Sequence, residues 1–374
     1  MRIAVNTRFL LTEYLDGYGY FLLENLKRIT RLHPEHQFIF IFDRPYDQQF
    51  IFSDNITPIV AGPAARHPLL WKLWYDIKIP AVLKKYKADI FLSSDGFCSL
   101  TTKVLQCLVV HDLSFLHFPA FIPRSHLFFY KRYTPKFLQK AAAVVTVSHF
   151  SKKDIIANYS IPSDKISVIY NAAKTIFHPL DSAEKEVVKN KYTQDKEYFL
   201  YVGAVHPRKN LTNLLKAFSV FKKKQKSNLK LVIAGRLAWH YKPFTESLKT
   251  YKYRDDVIVT GYLPEGELVK LLGAAYAMVY VSLWEGFGIP VVEAMRSGIP
   301  VITTTNSAMQ EIAKEAALYA DPGNYVDIAD KMMLLYKDEG RRNELIQQGF
   351  QVQAQYNWDR SAEQLWNCIL KAVG

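Results

Sequence analysis

Ala277-Met278-Val279-Tyr280-Val281-Ser282, followed three residues later by Glu285-Gly286-Phe287-Gly288-Ile289-Pro290-Val291-Val292-Glu293-Ala294-Met295, places two acids eight positions apart around a Gly-x-Gly turn. The first six residues are mostly apolar and read as a buried strand. Pro290 stands where a helix is expected to begin, because its fixed φ suits a first helical position, and Gly298 is placed to close that helix. Strand, glycine turn and helix in that order are the building unit of a parallel α/β sheet. The same unit makes an anion site, since glycines expose backbone N–H groups at a helix start whose dipole favours phosphate. Glu293 is expected in the first turn of the helix, where contact with phosphate would be repulsive. We read it instead as an acceptor for neighbouring sugar hydroxyls, as acids are for ribose in other sheets of this kind. The ligand implied is a sugar joined to a phosphate.

Outward from this segment, short β-rich runs alternate with helical patterns, which predicts α/β layers with parallel strands. In the first half strands are expected near residues 2–6, 37–42, 88–92, 105–110, 143–147 and 166–170, with helices near 18–32, 69–86, 125–140 and 149–158. In the second half strands are expected near 198–203, 229–234, 257–260, 277–281, 299–303 and 317–320, and helices near 210–224, 264–273, 290–297 and 325–337. The charged stretch 181–197 reads as a linker. A chain of 374 residues exceeds the usual size of a single core. Two Rossmann-like domains are therefore expected, 1–180 and 198–357, with ligands at the C-terminal strand ends in a cleft between them. A helix over residues 358–373 ends the chain.

An apolar content of 49% supports full cores. No apolar run approaches the roughly 18–20 residues that span a bilayer, and the chain opens directly on the strand-like Arg2-Ile3-Ala4-Val5-Asn6 without a secretory pattern, so a cytoplasmic protein is expected. Cys98, Cys107 and Cys368 are odd in number and lack metal-site spacing, which fits reduced thiols. The net charge of +13 is spread through both halves rather than gathered in an arm or tail, which argues against nucleic acid as a partner. One concentration, residues 126–137 (His-Leu-Phe-Phe-Tyr-Lys-Arg-Tyr-Thr-Pro-Lys-Phe), mixes aromatic and basic side chains. Two readings of it stay open: peripheral contact with an anionic membrane face or a lipid-linked acceptor, and a partly buried helix with snorkelling lysines.

A second phosphate-directed element opens the second half: Tyr201-Val202-Gly203-Ala204-Val205-His206-Pro207-Arg208-Lys209-Asn210-Leu211. Gly203 follows a buried strand, and Arg208 and Lys209 precede a helix. A departing pyrophosphate needs its developing charge neutralised by a metal or by fixed cations. The sequence has no Asp-x-Asp triplet for a metal, so Arg208, Lys209 and the helix start at residues 286–290 are expected to do this without one. In the first half, Val109-Val110-His111-Asp112-Leu113 puts a histidine at a strand end, where spacing alone leaves open a site residue and a satisfied structural one. Gly17-Tyr18-Gly19, ahead of a helix expected to begin near Tyr20, offers a close backbone approach to ligand. It lacks the full dinucleotide pattern, which makes a nicotinamide site a poor fit.

Together these segments resemble the retaining glycosyltransferases of family 4, which have the two-domain GT-B fold. The resemblance also rests on Thr146-Val147-Ser148-His149-Phe150-Ser151-Lys152, Gly261-Tyr262, Ser297-Gly298-Ile299-Pro300-Val301 and Ala316-Ala317-Leu318-Tyr319-Ala320-Asp321-Pro322, and covers nearly the whole chain. It implies that Glu293 binds the ribose of a nucleotide-sugar donor, that Arg208 and Lys209 bind its pyrophosphate, that residues 286–290 meet phosphate and sugar, and that Glu285 contacts hydroxyls of the transferred sugar. His111 matches the family's strand-end histidine near the reacting centre. Retention of anomeric configuration by front-face displacement, a final helix crossing back onto the first domain, and no cofactor beyond the donor are implied in the same way. The expected donor is a GDP- or UDP-sugar, with GDP-mannose first, and the expected acceptor is a polysaccharide, lipopolysaccharide or lipid-linked glycan. Asn171-Ala172-Ala173, Met309-Gln310-Glu311 and the loosely spaced Gly17 and Gly19 depart from the family pattern and bear on donor and acceptor choice. Two other readings remain at this level: a non-catalytic nucleotide-sugar-binding paralogue, and a nucleotide-sugar epimerase of the same fold.

Overall fold

Runs of Val, Ile, Phe and Leu buried on both faces form the strands, as parallel sheets require. The computed structural model describes residues 1–11, 15, 17–237 and 241–374. These fall into two units, Met1–Asn171 with Asn357–Gly374, and Ala172–Tyr356. In the first, β1 (Arg2–Asn6), β2 (Gln37–Phe42), β3 (Ile56–Val60), β4 (Ile90–Ser93), β5 (Leu105–Val109), β6 (Ala143–Thr146) and β7 (Ile166–Val168) pair in the order β3-β2-β1-β4-β5-β6-β7. In the second, β8 (Tyr198–Val202), β9 (Lys230–Ala234), β10 (Val257–Gly261), β11 (Ala277–Val279), β12 (Val301–Thr304) and β13 (Ala317–Ala320) pair as β10-β9-β8-β11-β12-β13. All pairings are parallel. Ala4 lies between Ile39 and Phe91, and Met278 between Leu200 and Val301. The strand order reverses between β1 and β4 and again between β8 and β11, the positions where such sheets open a crevice at their C-terminal ends.

Several elements differ from the sequence expectation. β3 carries Pro58 inside its run, which disguises it, and an edge position tolerates the missing N–H. The helix expected over 69–86 is three segments, Pro68–Leu73, a wider π-turn over Trp74–Lys78, and Ile79–Lys85. Pro80 cannot donate to the carbonyl of Asp76, and the Thr101 hydroxyl donates to that oxygen instead at 2.7 Å. The expected linker over 181–197 is a correction: it holds the helix Ser182–Thr193, started by a capping box between Asp181 and Glu184. Its charges are a solvated face, while Val188 is buried and Tyr192 and Lys191 bond Glu267 at 2.8 and 2.5 Å.

The first boundary accordingly moves from 180 to 171. Arg296 Nε donates to the Phe177 carbonyl at 3.0 Å, Lys174 pairs with Glu265, and Leu180 packs against Gly273, so residues 172–180 are built into the second unit. The second unit also contains helices Lys242–Lys249, only two turns long, and Glu339–Gln353, which lacks a clear apolar stripe. The final helix, Trp358–Val373, lies against the helix Gly17–Leu32, where Ser361 Oγ donates to Asn25 Oδ1 at 3.0 Å and Arg28 pairs with Asp359 at 2.5 Å.

Candidate functional site

In the second unit the chain leaves β8 at Gly203, φ +141°, and reaches a 3₁₀ turn, Pro207–Lys209, capped by the His206 side chain. Asn210 follows in the left-handed conformation, and its Nδ2 donates to the carbonyls of Val281 at 3.0 Å and Pro322 at 2.8 Å, which fixes the turn against the end of β11. Arg208 and Lys209 thereby meet Glu285. Lys209 Nζ lies 2.5 Å from Glu285 Oε1 and donates to the Tyr280 hydroxyl at 2.8 Å. Arg208 Nη1 lies 3.2 Å from Glu285 Oε2 and also donates to the Trp284 carbonyl. Burial alone would raise the Glu285 carboxyl; Lys209 and then Arg208 outweigh it and hold the group at about 2. The acid is thus a fixed negative charge between two fixed cations.

Three residues on, the chain turns at Gly288, φ +90°, into the helix Ile289–Arg296. A Cβ at Gly288 would lie 2.6 Å from Met309 Cε in a conformation that side chains avoid, so glycine is required. The amides of Gly286, Gly288 and Ile289 donate to no acceptor among the described residues, and Ser307 Oγ, buried beside Ala308, also has no partner among them. Ala308 N donates to the Glu285 carbonyl at 3.2 Å, which ties that segment to the turn. Phe287 is buried edge-on against Tyr356 at 5.6 Å and anchors the loop. Pro290 is the second rather than the first helical residue.

Glu293 corrects the expectation of a first-turn acid, since the helix starts at Ile289 and Glu293 lies one turn further on. It does not join the Glu285 cluster. Its carboxyl is buried, has no side-chain hydrogen bond among the described residues, and sits near Lys174 and Glu265. Burial pushes it up to about 8, only partly opposed by Lys174. A buried carboxyl with no donor bonded to it is held neutral at pH 7.

In the first unit His111 lies just past β5, half-buried, with Nε2 donating to the Ser94 carbonyl at 3.0 Å. Because a carbonyl only accepts, Nε2 carries the proton and Nδ1 presents a lone pair. Burial keeps the ring neutral down to about 4, against smaller opposing effects of Ser94, Asp112 and Asp95. Gly17 and Gly19 lie inside the first turn of the helix Gly17–Leu32, not in a loop before it. The close approach at Gly19 is to the chain itself: a Cβ there would come within 2.8 Å of the Phe9 carbonyl oxygen. What the segment delivers to the site is Tyr18, whose ring meets His111 edge-on at 4.4 Å.

Sequence reasoning missed Tyr280 and Asn210, which hold Lys209 and its turn, because neither residue type signals a site. It also missed Arg8 and Asp95, paired at 2.6 Å just beyond β1 and β4. A charge directly after a buried strand at the reversal of strand order was the available signal. Chemically, the second unit offers two cations, open amides and a turn suited to a diphosphate, with an ionised acid, Glu285, between the cations and a neutral one, Glu293, set apart from them.

Residues 182–352 match the family model described as glycosyl transferases group 1, and residues 22–175 match that of glycosyltransferase family 4. The chain is 30% identical over 273 residues to the O-antigen chain mannosyltransferase RfbU of Salmonella typhimurium strain LT2, covering 72% of this chain and 71% of that protein. It is 28% identical over 365 residues to the O-antigen chain mannosyltransferase B of Escherichia coli, covering 94% and 95% respectively. Among solved structures, sucrose-phosphate synthase from Thermosynechococcus elongatus superposes with a TM-score of 0.81 at 18% identity, over 99% of this chain and 98% of that one. With two parallel α/β units and this glycine-and-glutamate segment, the chain belongs to the group 1 glycosyl transferases of family 4, a glycosyltransferase with the GT-B fold.

Proposed function

We propose that the protein transfers a hexose, mannose first, from a nucleotide-diphosphate sugar to a polysaccharide, lipopolysaccharide or lipid-linked glycan, with retention and without a metal. The Arg208–Lys209–Glu285 cluster beside the amides of Gly286, Gly288 and Ile289 carries this reading. Those amides and the two cations would receive the pyrophosphate and stabilise the charge that grows as it departs. Glu285 would turn its carboxylate to hydroxyls of the transferred sugar, and Glu293 would ionise as ribose hydroxyls donate to it. His111, neutral and with a free lone pair at Nδ1, is read as accepting from a hydroxyl of the sugar. The departing phosphate would take the acceptor's proton, so no protein base is needed. The names of the two mannosyltransferase relatives support the choice of mannose and of a surface glycan as acceptor.

Calorimetry with GDP, UDP, GDP-mannose and UDP-glucose tests the donor reading. One nucleotide should bind selectively, and Arg208→Ala should weaken its binding and slow turnover together. Absence of binding by all four ligands would sink the proposal. Transfer should persist in EDTA, whereas loss restored by magnesium would refute the metal-free part.

Peripheral contact with an anionic membrane face is supported by the helix Arg124–Lys140, which contains no acid, and by Phe128 on it, 71% exposed. Leu69, in the contacting helix Pro68–Leu73, is 76% exposed. No helix of the described residues is long and apolar enough to cross a membrane. Co-sedimentation with phosphatidylglycerol vesicles but not phosphatidylcholine vesicles, reduced by Phe128→Ser, is the expected result.

A further inference from the structure

His111 lies edge-on to the Phe21 ring, 5.4 Å away, and is gripped from two further sides. Ser94 supplies the carbonyl that fixes its proton on Nε2, and the Tyr18 ring lies edge-on to it. Each grip continues one step further. Tyr18 rests on Phe9 with ring centres 5.6 Å apart, and Phe9 follows Arg8 in the chain; Ser94 precedes Asp95. Arg8 Nε and Asp95 Oδ2 are 2.6 Å apart, with the two side chains only 5% and 1% exposed. Around them Asn6 Nδ2 donates to Asp95 at 2.8 Å, the Tyr75 hydroxyl donates to it at 2.7 Å, and Arg8 Nη1 donates to the Ala65 carbonyl at 2.9 Å. Every charge in this knot is therefore matched.

We propose that the buried Arg8–Asp95 pair is a positioning element for His111, holding together the two strand-end loops, residues 7–10 and 94–97, that set the orientation of the imidazole. For stability alone a buried ion pair is a poor choice, since apolar replacements of similar volume are often neutral or stabilising. Its location at the β1/β4 reversal, with Asp95 next to Ser94 and Arg8 next to the Phe9 on which Tyr18 rests, gives it another use. The charged groups facing the imidazole are Asp112 at its own strand end and Asp95 on the neighbouring one, whose charge Arg8 offsets. Without Arg8 the Asp95 charge acts on His111 uncompensated, and the carbonyl of Ser94 loses its anchor.

The inference rests on His111 contacting the transferred sugar, and the experiment separates the two claims. Arg8→Met, Asp95→Asn and His111→Ala are made singly, and the first two are also combined with His111→Ala. Arg8→Met should lower kcat about 10-fold, no more than loss of the His111 imidazole itself, while donor KM stays within about twofold. Added to His111→Ala it should cost nothing further. In NMR titration the His111 ring should ionise at higher pH in Arg8→Met than in the wild type, which a stability role alone would not produce. Losses that multiply in the double variant, or a His111 titration unmoved by Arg8→Met, would overturn the proposal. If Arg8→Met does not fold, Asp95→Asn keeps the shape and carries the same cycle, with the His111 titration moving down. If His111→Ala is fully active, the sugar-contact reading falls, and the titration alone decides whether the pair positions the ring.

Discussion

At the ends of β8 and β11 the second unit gathers Arg208, Lys209 and Glu285, whose side chains are 22%, 13% and 9% exposed. At the ends of β1 and β4 the first unit pairs Arg8 with Asp95 at 5% and 1% exposed, and sets a neutral histidine beside them. Both clusters occupy the point where strand order reverses, the first-unit pair two residues beyond β1 and β4, the second-unit cluster from the sixth residue beyond β8 and β11. They differ in charge balance and access. Two cations against one acid leave a surplus positive charge that an incoming anion can meet; one cation against one acid leaves none. The difference teaches that a strand-end crevice can be built to receive charge or to hold geometry, and that the ratio of charges tells which.

The largest effect that would sharpen this contrast is expected from Glu285→Gln. Transfer should fall about 100- to 1,000-fold, the usual scale for a lost electrostatic contact to the reacting group, while affinity for free nucleotide diphosphate holds or rises because Arg208 and Lys209 lose their internal partner. Undiminished transfer would remove Glu285 from the chemistry. In the first unit His111→Ala should cost about 10- to 100-fold in kcat with donor affinity unchanged, as measured by calorimetry. A loss of donor affinity would contradict the division of tasks.

The smallest effect concerns stability and Glu293. Its carboxyl stays protonated in the folded protein up to about 8, whereas an unfolded one ionises near 4.5, so the folded state holds an extra proton between those values. Stability should therefore fall as pH rises through this window, by on the order of 3 kcal/mol at pH 7. Glu293→Gln should lack that slope and melt higher than the wild type at pH 8. Glu285 has the opposite sign: its pairing stabilises above 4.5 and is lost as pH falls toward 2. A melting profile for Glu293→Gln that parallels the wild type would show the acid to be solvated after all.

Much of this was legible in the residues. Apolar runs before Gly203 and Glu285, the Gly286-x-Gly288 turn and the adjacent Arg208 and Lys209 carry their meaning locally, and the structure brings the two cations onto Glu285. What the sequence concealed depended on partners distant along it. Residues 182–193 look like a linker because a helix with a single buried flank shows few apolar positions. Glu285 and Glu293 are the same residue type in one short segment, and only the surrounding charges push one to about 2 and the other to about 8. Arg8 and Asp95 are separated by the whole β1-to-β4 crossover, so nothing local advertises their pairing.

The final helix completes the first unit rather than the second. Trp358, Leu365, Trp366, Cys368 and Ile369 are buried, and the helix lies against Gly17–Leu32, β5 and β6. During synthesis the ribosome has already made the entire second unit before this covering helix emerges. The first unit to leave the ribosome is thus the last to be finished, and a nascent chain carries an uncovered apolar face beside β5 and β6 until residue 373 is free. A stop codon that removes only residues 358–374 would spare Arg208, Lys209, Glu285 and Glu293 and yet fall on the half of the molecule translated first.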